Sequence, residues 1–422
     1  MKITYFIFFI TITAGIISCS SRKENMNSFS STDDTLIISS VKHQGINIFS
    51  IGASKLPFRD SSEWKSLDWF KSYPDYKISY PDNIQDLKLS FRNVFFIPFR
   101  YYDKSSNKVI MQKNRTLADQ QIIIITGKLE GREVLIIDSN NNKDLRDDPI
   151  RTIHEFDWRH KKNLIDCTFS VDYGDKVVED TGWFQIGLYK QNLYEATAQH
   201  LLADIYIDAE KYQIGVIDDN TTSFCFFSPM LGVLESNGIK KDTLAKDERI
   251  ELGEYLSLGG QFYKFHKLYS GSGTIVLTKN SRPDTLTGTQ KGMLAADFKV
   301  NTMEGELVSS ENFKGRYLLL INVSACWSQV SSYQCYKDLT ETYKDKFDYL
   351  GIDYSPVTLR QNIKDLKLSG QFIIAENNSM IQKTYRPEYC SRTCFLINPE
   401  GRIADRFEIF DWKSHLANFF EN

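Results

Sequence analysis

The sequence has little proline, little net charge and only one long apolar run, and each shortage narrows the class of protein. Its 422 residues include 10 Pro against 22 Tyr and 28 Phe, a composition that favours β-rich packing. The formal net charge of −3 leaves no basic footprint for nucleic acid, so we expect no nucleic-acid partner. The chain has 41% hydrophobic and 25% charged residues, which is close to the average of globular proteins. This composition excludes collagen-like, disordered and coiled-coil proteins. The apolar run lies at the N-terminus, which excludes a multi-span membrane protein.

The N-terminal segment is typical of a secretory signal. Lys2 precedes an apolar run over residues 3–17, and about 15 residues is short for a membrane span but suits a signal-peptide core. The run ends in Ser18 and Cys19, and polar residues follow directly. This ending resembles the lipobox of bacterial lipoproteins, which implies that residues 1–18 are a signal peptide and that Cys19 is lipidated. The alternative is an ordinary signal peptide with an incidental cysteine.

Residues 19–38 begin with the cysteine of that lipobox and continue as a polar, serine-rich tether. One lipid group would anchor the following body to a membrane face without sending the chain across. We therefore expect a lipoprotein of the cell envelope that faces the periplasm or the cell surface, with the leaflet left open. The other six of the seven cysteines would then lie outside the cytoplasm, where disulfides persist.

Residues 39–286 predict a β-rich, sandwich-like domain. Short apolar and aromatic runs recur there, often about ten residues apart, with turn signals between them and little helical periodicity. Two of the runs, at 121–125 and 133–137, flank a turn and predict a hairpin. The further runs lie at 164–173, 183–189, 203–207, 212–217, 262–269 and 274–277.

One loop of this region has the pattern of a calcium site. Oxygen-bearing side chains recur at alternate positions directly after a strand, and such oxygens can converge on one hard cation: Asp138, Asn140, Asn142 and Asp144. Lys143 and Pro149 depart from the pattern, since an EF-hand loop has Gly and Glu there. The alternative is a polar loop in which Asn and Asp shape turns. No other cofactor is expected, because the six histidines lack zinc-ligand spacing.

Residues 290–422 change to alternating strand and helix patterns, which predict an α/β sandwich. The fold class expected for the whole chain is therefore α+β and multidomain, with a β-rich domain first and an α/β domain after it. The predicted strands lie at 316–323, 349–353, 394–397 and 403–409, and the predicted helices at 331–347, from 355 onward and at 412–420.

Several motifs in this last region resemble those of the AhpC/TSA and TlpA/ResA thioredoxin-like families. Residues 292–298 (GMLAADF) are similar to the entry motif of these families, and residues 395–401 (FLINPEG) to a later strand and turn. Residues 313–320 (FKGRYLLL) and 350–353 (LGID) match in order and spacing. The resemblance implies a thioredoxin-like domain over 290–422, thiol–disulfide oxidoreductase activity, and a protein thiol or disulfide as partner.

The sequence departs from these families at the redox motif itself. In the TlpA/ResA pattern a strand ends in Trp-Cys-x-x-Cys, and aligning Trp327 places Ser328 and Ser331 where the two cysteines belong. A serine hydroxyl cannot form a disulfide, so standard dithiol exchange is lost. Arg392 stands at the position where the pattern has a proline before the next strand. The activity is therefore expected to be degenerate or to use other cysteines.

The peroxiredoxin branch offers another interpretation. Its pattern has a Ser or Thr three residues before the reactive cysteine, which fits Ser332 and Cys335, and an Arg before the later strand, which fits Arg392. Ser328 replaces the proline of that pattern, and Cys335 comes about four residues late in the alignment. Arg392 could equally be a surface cation at the start of a strand.

Four cysteines remain as candidate redox or structural residues: Cys326, Cys335, Cys390 and Cys394. In a thioredoxin-like sheet, the strand that leads to Cys326 runs antiparallel to the strand that begins near Cys394. The resemblance therefore suggests that Cys326 lies within disulfide distance of Cys390 or Cys394. Such a bridge could be a structural staple or a rewired redox pair. The corresponding functions are an envelope oxidoreductase, or a binding module that keeps the scaffold without its chemistry.

Overall fold

A computed structural model describes most of the chain from residue 34 onward, including the last residues of the predicted tether, where Thr35–Ser39 form a strand. The described residues are 34–60, 63, 78–93, 101–103, 108–110, 121–172, 177–218, 224–226, 228–244, 248–280, 282, 285–323, 329–354, 356–385 and 391–421. The predicted signal peptide and the predicted lipidation site, Cys19, lie outside these residues, so the expectations about them stay predictions. None of the described helices is long and apolar enough to cross a bilayer.

The described residues up to 288 are dominated by β-strands, as predicted. The strands are β1 (Thr35–Ser39), β2 (Val41–Gln44), β3 (Ser54–Lys55), β4 (Arg59–Asp60), β5 (Gln85–Asn93), β6 (Tyr101–Asp103), β7 (Lys108–Ile110), β8 (Gln121–Leu129), β9 (Arg132–Ile137), β10 (Arg151–Thr152), β11 (Leu164–Asp172), β12 (Val177–Tyr189), β13 (Asn192–Thr197), β14 (Gln199–Ile207), β15 (Glu210–Asp218), β16 (Pro229–Ser236), β17 (Ile239–Lys240), β18 (Ile250–Glu251), β19 (Tyr255–Leu258), β20 (Gln261–Tyr269), β21 (Thr274–Asn280) and β22 (Thr287–Gly288).

Most of these strands form four antiparallel sheets. Their strand orders are β1-β21-β20-β19, β10-β9-β8-β5-β4, β11-β12-β13-β3, and β17-β16-β15-β14-β2 with β18 beside β16. The predicted hairpin is the pair β8–β9, in which Leu129 lies opposite Arg132. Its two turn residues, Glu130 and Gly131, have φ angles of 51° and 76°. A two-residue hairpin turn of this kind needs positive φ at both positions, which explains the glycine.

The sheets pack in pairs over shared apolar cores, which agrees with the sandwich-like prediction. Ile122 of β8 meets Phe184 of β12 in one core, and Ile214 of β15 meets Phe265 of β20 in another. Successive strand residues point to opposite faces, so Ile123 belongs to a different cluster from its neighbour. Both faces of β8 are therefore buried, as its continuous isoleucine run requires.

A buried ion pair links the two sheets of the first core. Arg92 of β5 donates from Nη1 to Glu195 Oε2 of β13, and from Nη2 to Thr197 Oγ1 at 2.6 Å. The guanidinium also lies 4.7 Å from the ring centre of Phe184 and 4.6 Å from that of Phe224. Burial raises the pKa of Glu195, although Arg92 opposes the shift. The charged form of this carboxylate therefore depends on Arg92.

Removing one partner of this pair should cost much more than removing both. Arg92→Met leaves the Glu195 carboxylate buried without its cation, and we expect a loss of about 3–5 kcal/mol in the free energy of unfolding. In the double variant Arg92→Met/Glu195→Leu the charge is gone, and most of the loss should be recovered. Urea unfolding of both variants measures the difference. An equal loss in the two would contradict this account.

The C-terminal part contains further strands and the described α-helices. The strands are β23 (Leu294–Ala295), β24 (Lys299–Asn301), β25 (Leu307–Ser309), β26 (Leu318–Asn322), β27 (Asp348–Asp353), β28 (Gln371–Ile374), β29 (Thr393–Ile397) and β30 (Ile403–Glu408). The helices are α1 (Gln329–Thr342), α2 (Pro356–Leu366), α3 (Ser379–Thr384) and α4 (Trp412–Phe420), with 3₁₀ turns at Ser310–Phe313, Ala375–Asn377 and Ile409–Asp411.

Five of these strands form one sheet in the order β28-β27-β26-β29-β30. The first three are parallel, and β29 runs antiparallel to β26, as expected for a thioredoxin-like sheet. Leu319 faces a core with Tyr333 of α1 and Leu416 of α4, whereas Leu320 faces another core with Ile381 of α3. The predicted α/β sandwich is confirmed for this part.

The predicted elements of this part differ from the structure mainly at their ends. The helix predicted over 331–347 begins at Gln329 and stops at Thr342, because the chain turns there with Lys346 N–H donating to Tyr343 O at 2.9 Å. The sequence pattern did not predict β28 or α3, which are short and lie between α2 and the hairpin formed by β29 and β30. Short elements give too few periodic positions to be recognised from the sequence.

Candidate functional site

The candidate site lies where β26 ends and β29 begins. In the antiparallel register Ile321 pairs with Cys394, so Asn322 and Thr393 mark the ends of the paired strands. The chain continues from these ends into residues 324–328 and 386–390. Cys326, Ser328 and Cys390 belong to those segments and lie outside the described residues. The expectation that they come close together therefore stays a prediction.

The side chain of Asn322 ties these chain ends together. Its Nδ2 donates to Tyr385 O at 2.8 Å and to Thr393 O at 2.7 Å, and the residue is fully buried. Tyr385 and Thr393 lie on either side of the segment that contains Cys390. Both ends of that segment are therefore held against the end of β26, from which the segment with Cys326 leaves.

A further hydrogen bond joins the residues on either side of the segment that contains Cys326. Ser332 Oγ of α1 donates to Val323 O, and Val323 N–H donates to Ile352 O of β27 at 3.0 Å. Ser332 is fully buried, whereas Ser331 beside it is exposed in the first turn of α1. Ser331, which the alignment places at a cysteine position of the family motif, is thus exposed to solvent. Its neighbour Ser332 makes a structural hydrogen bond.

Sequence reasoning missed Asn322, Ser332 and Tyr385 as organising residues of this site. The available signal was a single amide side chain at the end of an otherwise apolar strand, LLLIN, whose five residues are all buried. A buried amide needs hydrogen-bond partners, so its position alone indicates a nearby cluster of backbone groups.

Cys335 lies in a position that does not favour a reactive thiolate. It is the seventh residue of α1, beyond the first-turn N–H groups that stabilise a thiolate. Burial raises its pKa, Asp338 adds to the shift, and Lys413 opposes it. The thiol is therefore protonated at neutral pH, which is the opposite of what the peroxidase interpretation requires.

Cys394 is the more deeply buried of the two candidate cysteines that the structure describes. It lies in β29 with no exposed surface, and it is a free thiol, as is Cys335. Burial raises its pKa well above the usual range, and the nearby Cys335 adds to the shift. Its Sγ makes a long contact of 4.0 Å to Arg392 O, and a backbone hydrogen bond from Asn322 opposes the shift in pKa. Such a thiol is inert while the fold is closed.

Arg392 is half-buried at the start of β29. Its guanidinium lies 5.5 Å from the ring centre of Phe410, and its carbonyl accepts from Ile409 N–H at 2.9 Å. The side chain thus packs against an aromatic residue that is still 37% exposed. This contact fits the surface-cation interpretation of Arg392, and the thiolate-stabilising role remains a prediction.

The predicted calcium residues are brought together in one loop, but their oxygens already accept hydrogen bonds. The Asp138 carboxylate accepts from the N–H groups of Asn142 at 2.9 Å and Lys143 at 3.1 Å, and Asn140 Oδ1 accepts from Asn142 N–H at 3.2 Å. Asn142 Oδ1 accepts from Asp144 N–H at 2.7 Å. Lys143 Nζ also lies 3.7 Å from Asp138 Oδ2.

This geometry is that of a polar loop shaped by Asx turns, with an ammonium group beside its most buried carboxylate. Burial raises the pKa of Asp138, and Lys143 opposes the shift. In the part of the chain that the structure describes, no group of three or more His, Cys, Asp or Glu is arranged to hold a metal. Calcium binding by this loop stays a prediction.

Comparison with known proteins gives matches to solved structures alone. No family model and no curated protein matches the sequence. The chain is similar to a putative protein disulfide isomerase from Bacteroides thetaiotaomicron, at 20% identity and a TM-score of 0.27, over 31% of this chain and 86% of that one. It is also similar to the C-terminal domain of a putative thiol-disulfide oxidoreductase from the same organism, at 24% identity and a TM-score of 0.27, over 32% and 97%.

A third similar structure is a putative thiol:disulfide interchange protein DsbE from Chlorobium tepidum, at 16% identity and a TM-score of 0.28, over 32% of this chain and 98% of that one. These likenesses concern the fold of about a third of the chain. The order and direction of β26 to β30 carry the thioredoxin-like assignment independently of them.

The burial of Cys394 gives a direct prediction about thiol reactivity. In the native protein at pH 8, iodoacetamide should modify Cys394 at least about a hundredfold more slowly than in the urea-unfolded chain, because the thiol is reached only when the sheet opens. Cys335, which is partly exposed, serves as the internal control and should react faster. Peptide mass spectrometry over time measures both rates. Rapid native labelling of Cys394 would show that the site is open.

Proposed function

We propose that this chain is a cell-envelope lipoprotein whose thioredoxin-like domain, residues 290–422, exchanges thiols and disulfides through Cys326 and Cys390. The observation that supports this pairing is the double hydrogen bond of the Asn322 side chain to Tyr385 O and Thr393 O. It holds both ends of the segment with Cys390 against the strand that leads to Cys326. The pair would stand in place of the lost Cys-x-x-Cys motif.

The other cysteines of the domain are poorer candidates. Cys335 and Cys394 are free thiols, and burial raises the pKa of both, so neither supplies a thiolate at neutral pH. The peroxidase alternative depends on Cys335 and shares this weakness. Ser331, at a lost cysteine position, has a hydroxyl that cannot enter a disulfide.

The proposed reaction is an ordinary two-step exchange. The thiolate of one cysteine attacks a disulfide of a partner protein, forms a mixed disulfide and releases one partner thiolate. The second cysteine then attacks the mixed disulfide, which releases the reduced partner and leaves a Cys326–Cys390 disulfide. A dithiol donor in the envelope must reduce that disulfide before the next cycle, so electrons and protons balance over the two half-reactions.

The second candidate function is a binding module without redox chemistry. It is favoured by the serines at the motif positions and by the inert thiols of Cys335 and Cys394. In this case a bridge at the site would be a structural staple, and the β-rich domain, residues 39–286, would provide the binding surface. The two candidates differ in whether the protein turns over a disulfide substrate.

An activity assay on cysteine variants separates the two functions. Full-length protein should accelerate the reduction of insulin by dithiothreitol, and Cys326→Ser or Cys390→Ser should remove at least about nine-tenths of that acceleration. Cys335→Ala is the matched control and should keep it, because its thiol is protonated. Thermal unfolding of each variant checks that the fold is intact. Wild-type protein without any acceleration would favour the binding module.

The membrane anchor has its own test. Cys19→Ala removes the thiol that the lipobox would lipidate, while the signal segment before it stays unchanged. We expect wild-type protein to partition with membranes and detergent, and the variant to lose this partitioning, because a lipid chain supplies the membrane affinity. Ser18→Ala, one residue earlier, is the control and should still be anchored. Equal membrane association of Cys19→Ala would rule out lipid anchoring at this residue.

A further inference from the structure

A cavity of about 360 Å³ lies in the strand-rich part, between the chain that follows β2 and the loop that precedes β11. Its volume falls within the range of about 300–1,000 Å³ that is usual for small-molecule sites. The side chains that matter for its chemistry are Gln44, Asn47, Arg159, His160, Lys161 and His200. It is remote in sequence from the thioredoxin-like domain and is independent of the proposed exchange reaction.

The cavity has two cations and no carboxylate among its lining residues. Arg159 and Lys161 are both exposed, and neither has an ion-pair partner in the part of the chain that the structure describes. Two cations two residues apart at one cavity repel each other unless an anion lies between them. The Asp157 carboxylate of the same loop offsets one of these charges, and the positive charge that remains at the cavity favours a negatively charged ligand.

The loop that carries the two cations is held in one conformation by Asp157. Its carboxylate accepts from the N–H groups of Arg159 at 3.0 Å, Lys161 at 2.9 Å and Lys162 at 3.0 Å. These hydrogen bonds fix the backbone conformation of the loop. The cation-bearing residues are thus positioned before any ligand arrives, which lowers the entropic cost of binding.

The opposite wall is fixed in the same way. His200 Nδ1 hydrogen-bonds Gly45 O at 2.7 Å, and Asn47 Nδ2 lies 3.3 Å from His200 Nε2. Because a carbonyl oxygen can only accept, Nδ1 carries the proton and Nε2 accepts from Asn47. Burial lowers the pKa of His200, so the ring is neutral. This wall supplies polar groups without adding charge.

His160 is a second unusual feature of the cavity wall. It is fully buried, and neither ring nitrogen has a hydrogen-bond partner in the described part of the protein. Its backbone φ is 49°, a left-handed conformation that costs free energy for a residue with a side chain. Buried polar groups without partners and strained residues both concentrate at functional sites.

We propose that this cavity binds a small polar molecule that carries a carboxylate, sulfate or phosphate group, such as an acidic monosaccharide. Arg159 and Lys161 bind the oxyanion, and the amide groups of Gln44 and Asn47 bind neighbouring hydroxyls. Only Ile46 and Leu164 among the lining residues have apolar side chains, so a ligand with a long apolar body, such as a fatty acid, does not fit the walls. The paired cations and the lack of lining carboxylates exclude a metal ion.

Calorimetric titration of the full-length protein with D-glucuronate, glucose 6-phosphate and neutral D-glucose tests the proposal. We expect saturable binding of at least one anionic sugar, and binding of glucose at least about tenfold weaker, because the charge-assisted bonds are lost. Inorganic sulfate should compete with the anionic sugar. Arg159→Gln/Lys161→Gln should weaken anion binding at least about tenfold.

The matched control is Lys190→Gln/Lys240→Gln, which removes the same charge from residues that do not line the cavity. It should bind like wild type, so a general electrostatic effect is distinguished from a site. Thermal unfolding confirms that both double variants fold. Equal affinity for glucose, equal weakening in the two double variants, or no anion binding below about 10 mM would overturn the proposal.

Discussion

The carboxamide of Asn322 is the contact on which the thioredoxin-like site depends. It is fully buried at the end of an apolar strand and satisfies two backbone carbonyls that belong to residues on either side of another segment. In a low-dielectric interior such bonds are strong, and an unpaired carbonyl there costs about 1–3 kcal/mol. The amide therefore fixes where the two segments that carry Cys326 and Cys390 leave the sheet.

Burial strengthens the hydrogen bonds of Asn322, and it also raises the pKa of the Cys335 and Cys394 thiols, which lowers their reactivity. Cys394 faces the core that α1 and α4 cover, and desolvation keeps its proton in place. Cys335 is partly exposed but lies too far along α1 for help from the helix N-terminus. The proposed exchange therefore rests on Cys326 and Cys390, which lie beyond the described strand ends.

Local patterns predicted much of the fold, whereas contacts between distant residues were not predictable. Alternating and continuous apolar runs identified the hairpin β8–β9 and the strands β26, β27, β29 and β30, because strand period and turn chemistry are local. The partners of Asn322 lie 63 and 71 residues away, and Arg92 meets Glu195 across 103 residues. One sequence does not show which distant groups meet. The positions of the cysteines could be read from the sequence. The burial of Cys394 could not, because it depends on the residues that pack against it in the folded domain.

The most direct test of the account is a non-reducing peptide map of the full-length protein across a graded series of thiol–disulfide buffers. We predict one disulfide, Cys326–Cys390, that titrates between about −120 and −270 mV, the range of catalytic dithiols, while Cys394 stays reduced throughout. A bridge that contains Cys394, or the absence of any Cys326–Cys390 bridge, would contradict the proposed arrangement. A Cys326–Cys390 bridge that resists reduction until below about −300 mV would identify a structural staple instead of an exchange centre.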